Sequence, residues 1–453
     1  MPRETRPPVL VAGTLSVALL LGGTRWGAYV GVGPLYLSDL LLAFAGLGVL
    51  IRAQLPAYRE LRKGHAPAHG RDSQVTSLAL VCWLLLAYTI ARLIIGSSLS
   101  IDVLRDAAPY GYVVVALLAG SRVGGADARS TLDRTGRALT CVLKFHAVWV
   151  LAATTSQVFA NWHFPVNPAA VHIWLFQTRN DMDTMLLGVL ASILVFRVLS
   201  GRRSGYPLLW LAVCLIGTLS TGSRAGLASA ILLCCLSVVL AYRRGLTRNA
   251  GLISAALVPM FLIGMMAVLP QTDIGQRLAG TLGASADGSE LGLGAAGTTE
   301  ARKEAWVALY NYSVDDAFRA VAGVGFGPDV LFDSGARRLL VGADPSEETI
   351  PRAPHNFWLN TLARLGVIGL MLYFWLIFLA LREAIRAWPR GNELDLLVGS
   401  LILGTLIIAT LGVVMESPFG AVPFYYCVGL LMAQQRAQRH TRRKYPHLES
   451  AIA

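Results

Sequence analysis

Long apolar segments separated by shorter polar ones dominate the chain. About twelve can be drawn, at roughly 8–23, 36–51, 77–95, 107–120, 138–159, 182–199, 206–221, 225–241, 250–270, 357–381, 394–414 and 418–433. Segments of this length and composition predict membrane helices, although several are shorter than the roughly 20 residues of a full span. Pro109 lies near the start of the short fourth segment, so we expect a broken or re-entrant helix there.

Basic residues lie mainly between alternate apolar segments. With the N-terminus in the cytoplasm, the cytoplasmic stretches hold 25 Lys and Arg residues and the short outer loops hold five. Because cytoplasmic loops carry this excess, we predict that both termini are cytoplasmic. The fold class is then an all-α polytopic membrane protein with helices 1–9 in residues 1–270, an extracytoplasmic loop region at 271–355, and helices 10–12 with a basic tail at 356–453.

Composition supports a membrane protein and argues against a nucleic-acid partner. Hydrophobic residues make up 55% of the chain and charged residues 15%, whereas soluble domains are nearer 25% charged. The net charge of +12 is spread over short tracts between apolar segments, as orientation signals are. All six cysteines fall within apolar segments, so the sequence indicates neither a disulfide framework nor a metal site. We expect no cofactor, because no phosphate-binding loop is present.

The long outer loop contains three kinds of sequence. Residues 280–298 are rich in Gly and Ala and are predicted to be mobile. A helix is predicted from Thr299, with a weakly apolar face that would lie on the membrane domain. That face consists of Ala301, Ala305, Trp306, Ala308 and Leu309. Residues 323–328, Gly-Val-Gly-Phe-Gly-Pro, predict a series of turns.

A histidine stands where the polar loop gives way to the tenth apolar segment. Pro354 precedes it, and a helix is predicted to begin just afterwards. Asn356, Asn360 and Arg364 recur at four-residue spacing, which places them on one helix face. His355 therefore lies at the mouth of a polar stripe, although a histidine in this position can also serve as a structural or surface residue.

Besides Arg25, four arginines lie in or beside short outer loops, where the charge bias works against them: Arg92, Arg105, Arg179 and Arg224. Interfacial snorkelling is one explanation. Arg224 follows Ser223 in a tight turn of small residues, where backbone N–H groups and a guanidinium can approach a phosphate together. Arg179 precedes residues that are equally suited to capping a helix. Lys144 and His146 lie inside the fifth segment, and Glu416 in the last outer turn is a possible partner for an outer arginine.

Several of these motifs resemble the bacterial O-antigen ligase and O-antigen polymerase superfamily. His355 and Asn356, followed after nine residues by Gly366 and after two more by Gly369, are similar to its histidine motif. Residues 178–181 and 221–226 look like its outer-loop arginine motifs. Arg302 with Trp306, then residues 323–327, resemble the stretch before its histidine motif. Many relatives carry an acid where this chain has Arg364, so no role is carried over from that acid.

The resemblance implies an O-antigen ligase of the bacterial inner membrane with its site facing the periplasm. The expected enzyme is an inverting, metal-independent glycosyltransferase that uses an undecaprenyl-diphosphate glycan donor and a lipid A–core oligosaccharide acceptor. His355, Arg224 and Arg179 are the expected catalytic residues. The expected substrate-binding residues are Arg105, Arg92, Asn356, Arg302 and Ser223. The alternatives are a polymerase that elongates a lipid-linked repeat unit and, in another class, a transporter or flippase for lipid-linked glycans.

Overall fold

The structure is a computed structural model in which residues 76–444 are described apart from 97–99, 123–127, 156–177, 179, 201–205, 245–289, 342–353, 389–392 and 413. Residues 30–32, 35–37, 40–42 and 44 are also described. Two short strands, β1 (Gly31–Val32) and β2 (Leu35–Tyr36), pair antiparallel, with Gly31 opposite Tyr36. The rest of the described regular structure is helical.

Helices built from the apolar segments form the main bundle. In chain order they are α1 (Ser77–Gly96), α2 (Ile101–Gly111), α3 (Val113–Arg122), α4 (Ala128–Thr155), α5 (Asn180–Leu199), α6 (Pro207–Thr221) and α7 (Arg224–Arg243). After the long loop come α12 (Phe357–Ala387), α13 (Glu393–Leu411), a 3-10 turn at Val414–Glu416 and α14 (Pro418–Lys444). Helix α5 packs against α4, α6, α7 and α13, and most of its side chains are buried.

The long loop contributes four helices that cover one end of this bundle: α8 (Glu290–Val314), α9 (Ala317–Ala322), α10 (Val330–Asp333) and α11 (Ala336–Val341). We call them the cap. Ala305 and Leu309 of α8 are fully buried with Val330 and Leu331 of α10, and with Ala363 of α12. The predicted apolar face of the loop helix is therefore confirmed at Ala305 and Leu309, and it packs on both the cap and the bundle.

The membrane-helix prediction is confirmed where the structure describes the chain. Six described helices are long and apolar enough to span a membrane, and α2 with α3 forms a broken span bent by 41°. Helix α6 is apolar but shorter, and the twelfth predicted segment lies within α14. The predicted segments 8–23 and 250–270, and most of 36–51, lie outside the described residues. The predicted orientation of the termini stays a prediction.

Some element limits differ from those predicted. Helix α8 begins at Glu290, nine residues before the predicted start at Thr299, so residues 290–298 are helical. The predicted mobility of this stretch stays a prediction. Extending a helix that already exists needs no new nucleation, so this stretch can join the predicted helix despite its three glycines. Helices α4, α12 and α14 extend beyond the apolar segments into charged residues. Apolar composition indicates which part of a helix can lie in lipid. The backbone hydrogen bonds of the same helix can continue into the flanking charged residues, which lie in water.

The two ends of the bundle carry different contacts. At one end, which we call the Trp388 end, Arg244 Nη2 donates to the Trp388 carbonyl at 2.8 Å and Arg197 pairs with Glu393. At the opposite end, the His355 end, α5, α7, α12 and α14 begin and α6 and α13 finish. The cap lies over the His355 end.

A glycine crossing joins the cap to α12. Gly366 has φ 64° and ψ −168°, which interrupts the helical hydrogen bonds inside α12. The Ala363 and Arg364 carbonyls instead accept from the backbone N–H groups of Val324 and Gly325, at 2.8 and 2.9 Å. A Cβ on Gly366 would lie 2.3 Å from the Val321 carbonyl oxygen. The two backbones can approach this closely because the glycine has no side chain.

Candidate functional site

His355 is held in position by contacts on both sides. Trp306 of α8 donates its indole N–H to the Pro354 carbonyl at 2.7 Å. Asn356 caps α12, its side-chain oxygen accepting from the N–H groups of Trp358 and Leu359 at 3.0 and 3.1 Å. Between these anchors His355 is half-buried and has φ 55°, a left-handed conformation unusual for a residue with a side chain. The backbone therefore presents the imidazole in a fixed place at the His355 end.

Ser223 and Arg224 begin α7 at the same end of the bundle. The Ser223 hydroxyl accepts from the Gly226 N–H at 2.9 Å, which caps the helix. It also donates to Oδ1 of Asp181, in the first turn of α5, at 2.5 Å. Arg224 is the first residue of α7 and is half-buried. The capping contacts fix the backbone from which its guanidinium extends.

Asp181 connects this turn to the cap. Burial lowers the pKa of the Arg302 guanidinium on α8 from its ordinary value, and the nearby Asp181 carboxylate raises it. A Cβ on Gly412, just after α13, would lie 3.2 Å from Oδ2 of Asp181. One carboxylate therefore faces α7, α8 and the end of α13. The sequence marked Asp181 only as a capping residue, and its distant partners left no local signal.

The contacts on α8 link the arginine turn to the histidine. Arg302 and Trp306 are four residues apart and so share one face of α8. Arg302 lies close enough to Asp181 for the two charges to interact, whereas Trp306 donates a hydrogen bond to the backbone next to His355. The structure thus gathers Ser223, Arg224, Arg302, His355 and Asn356 at one end of the bundle. Their separate places in the sequence predicted a common face but not this chain of contacts.

The other predicted arginines lie differently. Arg92 is buried and donates from Nη2 to the Gly323 carbonyl at 2.8 Å, with its guanidinium 5.9 Å from the Phe318 ring. Through these contacts Arg92 stabilises the glycine-rich turns of residues 323–327. Arg105 is half-exposed and pairs with Asp102 at 2.8 Å. Arg179 lies outside the described residues. Ligand contacts by these three residues stay predictions.

After Asn356, each polar residue of the α12 stripe contacts a different partner. Asn360 donates to Oε1 of Glu416 at 2.9 Å, and its own carbonyl oxygen is buried with no hydrogen-bond partner among the described residues. Arg364, which is 2% exposed, pairs with Oδ2 of the buried Asp106 at 2.9 Å. The Gly327 N–H donates to the same carboxylate at 3.2 Å. Arg364 and Asp106 therefore bind the broken span, the cap and α12 together.

Two ionisable residues within α4 have structural contacts. His146 Nε2 lies 3.1 Å from Oδ1 of Asp183 in the first turn of α5, and its ring stacks on Trp149. Lys144 lies over the Trp210 ring, with Nζ 5.3 Å from the ring centroid. Within the described ranges, no three His, Cys, Asp or Glu side chains group closely enough to hold a metal ion.

Comparison with known proteins identifies a matching family over part of the chain. Residues 207–374 match the family model described as O-antigen ligase. No curated protein matches the chain. The match confirms the resemblance to the O-antigen ligase and polymerase superfamily, and it implies a membrane glycosyltransferase-like activity in general terms. The matched range contains Ser223, Arg224, Arg302, His355 and Asn356, and it excludes Arg92, Arg105 and Arg179.

Proposed function

We propose that the protein is an O-antigen ligase, which transfers a glycan from an undecaprenyl-diphosphate donor to lipid A–core oligosaccharide. The observation that supports this most directly is the chain of contacts at the His355 end. It runs from the Arg224 turn through Asp181 to Arg302, and from Trp306 to the backbone beside His355. Permanent cations, which suit a diphosphate, and an imidazole, which suits proton transfer, thereby share one end of an apolar bundle that a lipid-linked donor can reach.

The donor diphosphate would bind the arginines of this end. Guanidinium groups form paired, charge-assisted hydrogen bonds to phosphate oxygens. Arg224 extends from a capped helix start, and Arg302 is partly withdrawn from water, so less solvent competes for its N–H groups. Arg179, in the same outer region by sequence, would contribute a third cation. As the bond from sugar to diphosphate breaks, these groups would stabilise the charge that develops on the leaving oxygen.

His355 would act as the general base. Imidazole ordinarily titrates near neutral pH, which suits proton transfer from a sugar hydroxyl. The acceptor oxygen would form a bond to the anomeric carbon and lose its proton to His355, and the lipid diphosphate would depart from the opposite face. A single displacement inverts the anomeric centre.

The proposed setting is the periplasmic face of the bacterial inner membrane. The basic residues collect between alternate apolar segments, and the His355 end is the one predicted to lie outside. A lipid-linked donor and a lipid-linked acceptor would both reach this end from the outer leaflet. We expect the reaction to need neither a metal ion nor a nucleotide.

The test is transfer by purified protein in detergent with undecaprenyl-diphosphate glycan and lipid A–core, in the presence of a chelator. A glycan-shifted lipid A–core band is expected from the wild type and not from His355→Ala. Arg224→Ala and Arg302→Ala should both transfer far more slowly. Lys303→Ala is the matched control, because Lys303 neighbours Arg302 on α8 but is exposed and pairs with Glu300 at 3.2 Å.

Each alternative gives a different product. Elongation of the donor glycan without lipid A–core would indicate a polymerase, the other activity of this superfamily. No product with either acceptor, from folded protein that binds the donor, would overturn both enzymatic assignments and favour a transporter. Full activity of Arg302→Ala would remove that residue from the donor site while leaving the reaction in place.

A further inference from the structure

The cap carries an exposed apolar stripe on the side that faces away from its own core. We call it the cap stripe, and it consists of Val307, Tyr310 and Val314 of α8 with Phe318 and Val321 of α9. Their exposed fractions are 59%, 49%, 39%, 67% and 52%. Apolar groups clustered in this way on the surface mark a site of contact with a partner or a membrane.

The stripe follows helical periodicity across both elements. Within α8 its members are separated by three and four residues, and within α9 by three, so each helix carries its members on one side. Ala305 and Leu309, on the opposite side of α8, are fully buried in the cap core. Exposed Glu304 and Asn311 flank the stripe. Helix α8 thus has a second apolar side that the interior of the fold does not use.

The stripe is continuous with the apolar surface of the membrane helices. Tyr88 of α1 donates to the Ala322 carbonyl at 3.3 Å, and the Val321 carbonyl abuts Gly366 of α12. Just beyond Gly366, Val367 and Ile368 are 42% and 41% exposed on the outside of α12. On α1, Ile94 and Ile95 are 74% and 73% exposed. Phe318 and Val321 therefore prolong a surface that the lipid chains cover.

We propose that the cap stripe lies in the membrane–water interface, with phospholipid as its partner. An amphipathic helix binds there by inserting its apolar side a few ångströms below the headgroups. The continuity with α1 and α12 selects lipid over another protein, because a protein partner would have to cover part of the lipid-facing surface as well.

This contact would set the depth of the candidate site. The stripe shares α8 with Arg302 and Trp306, and Trp306 holds the backbone beside His355. A helix fixed at headgroup depth would therefore keep Arg302 at the level where lipid-linked phosphates lie. The inference depends on the membrane bundle and not on the proposed glycosyl transfer.

Photo-crosslinking to lipid tests the proposal. Benzoylphenylalanine would replace Val314 or Phe318 in the full-length protein, reconstituted into vesicles of phosphatidylethanolamine and phosphatidylglycerol that carry a radiolabel. Asp333 of α10 is the exposed control, because α10 packs on the buried side of α8, and Ile94 of α1 is the lipid-facing reference. Variants that elute as folded protein before reconstitution are compared.

Lipid adducts at Val314 and Phe318 should exceed those at Asp333 several-fold and approach those at Ile94. Labelling at Ile94 with only the Asp333 level at both stripe positions would overturn the proposal. A crosslinked protein dimer in place of lipid adducts would also overturn it, because the stripe would then contact a second copy. None of these outcomes depends on enzymatic activity, so the proposed function stands or falls separately.

Discussion

The glycine crossing between the cap and α12 predicts a graded response to three alanine substitutions. Gly366 has a positive φ of 64°, and a Cβ added to it would lie 2.3 Å from the Val321 carbonyl oxygen. Gly222, between α6 and α7, has φ 69° but nothing within 4 Å of its Cβ position. Gly111, at the end of α2, has neither constraint. The series therefore separates backbone strain from steric overlap.

The expected magnitudes follow from these two contributions. In the sparsely populated region of Gly366, a side chain costs about 1–3 kcal/mol. Overpacking against a neighbouring backbone adds about 1–3 kcal/mol. Gly366→Ala should then destabilise the protein by about 2–6 kcal/mol in total. Gly222→Ala carries only the left-handed penalty of about 1–2 kcal/mol. Gly111→Ala should range from no change to a gain of about 1 kcal/mol.

Thermal unfolding in detergent measures the series. Cys82, Cys214 and Cys427 are buried, whereas Cys141 and Cys235 are exposed. The exposed thiols react with a thiol-reactive fluorescent dye before heating, and the further rise in fluorescence on heating reports the buried thiols as the protein unfolds. Because large membrane proteins often unfold irreversibly, the midpoints are ranked at one heating rate and are not converted to free energies. The expected order is Gly111→Ala, then Gly222→Ala, with Gly366→Ala lowest. A Gly366→Ala midpoint equal to that of Gly222→Ala would refute the backbone contact, and one equal to Gly111→Ala would refute the strain as well.

Three further predictions concern buried or strained groups. Arg364→Met leaves the buried Asp106 carboxylate with only the half-exposed Arg105, 3.8 Å away, as a cation, and should cost up to about 3–5 kcal/mol. Adding Asp106→Asn should raise the thermal midpoint again, and no recovery would contradict the pairing with Arg364. His355→Gly should abolish transfer. Its thermal midpoint should lie above that of His355→Ala, because glycine relieves about 1 kcal/mol of left-handed strain. Equal midpoints for the two variants would argue against strain. Trp306→Phe removes the hydrogen bond to the Pro354 carbonyl, worth about 1 kcal/mol, so the transfer rate should fall while donor affinity, measured by binding of the radiolabelled donor, stays unchanged.

The helices were predictable from sequence because an apolar segment is a local property. The break inside α12 was not, since Gly366 lies in an apolar run that continues on both sides. What interrupts the helix is a pairing with Val324 and Gly325, about 40 residues earlier in the chain. The turn-rich character of residues 323–328 was visible, but the partner that uses those turns was not.

The site shows the same division between local and distant information. Four-residue spacing placed Asn356, Asn360 and Arg364 on one face, as the structure has them. The acidic partners, Glu416 and Asp106, belong to elements far away in the chain, so the spacing of residues within α12 could not predict them. Asn356 matched a family motif and was expected to bind substrate, yet its oxygen caps α12. A match to a family motif therefore does not distinguish a residue that stabilises the fold from one that binds the ligand.

Burial and partners separate four arginines near the His355 end into two groups. Arg92 and Arg364 are almost fully buried against backbone carbonyls or a carboxylate, so their charges stabilise the packing of the cap on the bundle. Arg224 and Arg302 are half-buried at the rim of the same end, where a guanidinium keeps N–H groups within reach of a ligand. The first group holds the glycine turn and α12 in place, and thereby fixes His355 relative to the second. These four arginines thus reflect two requirements, one of the fold and one of the proposed diphosphate site.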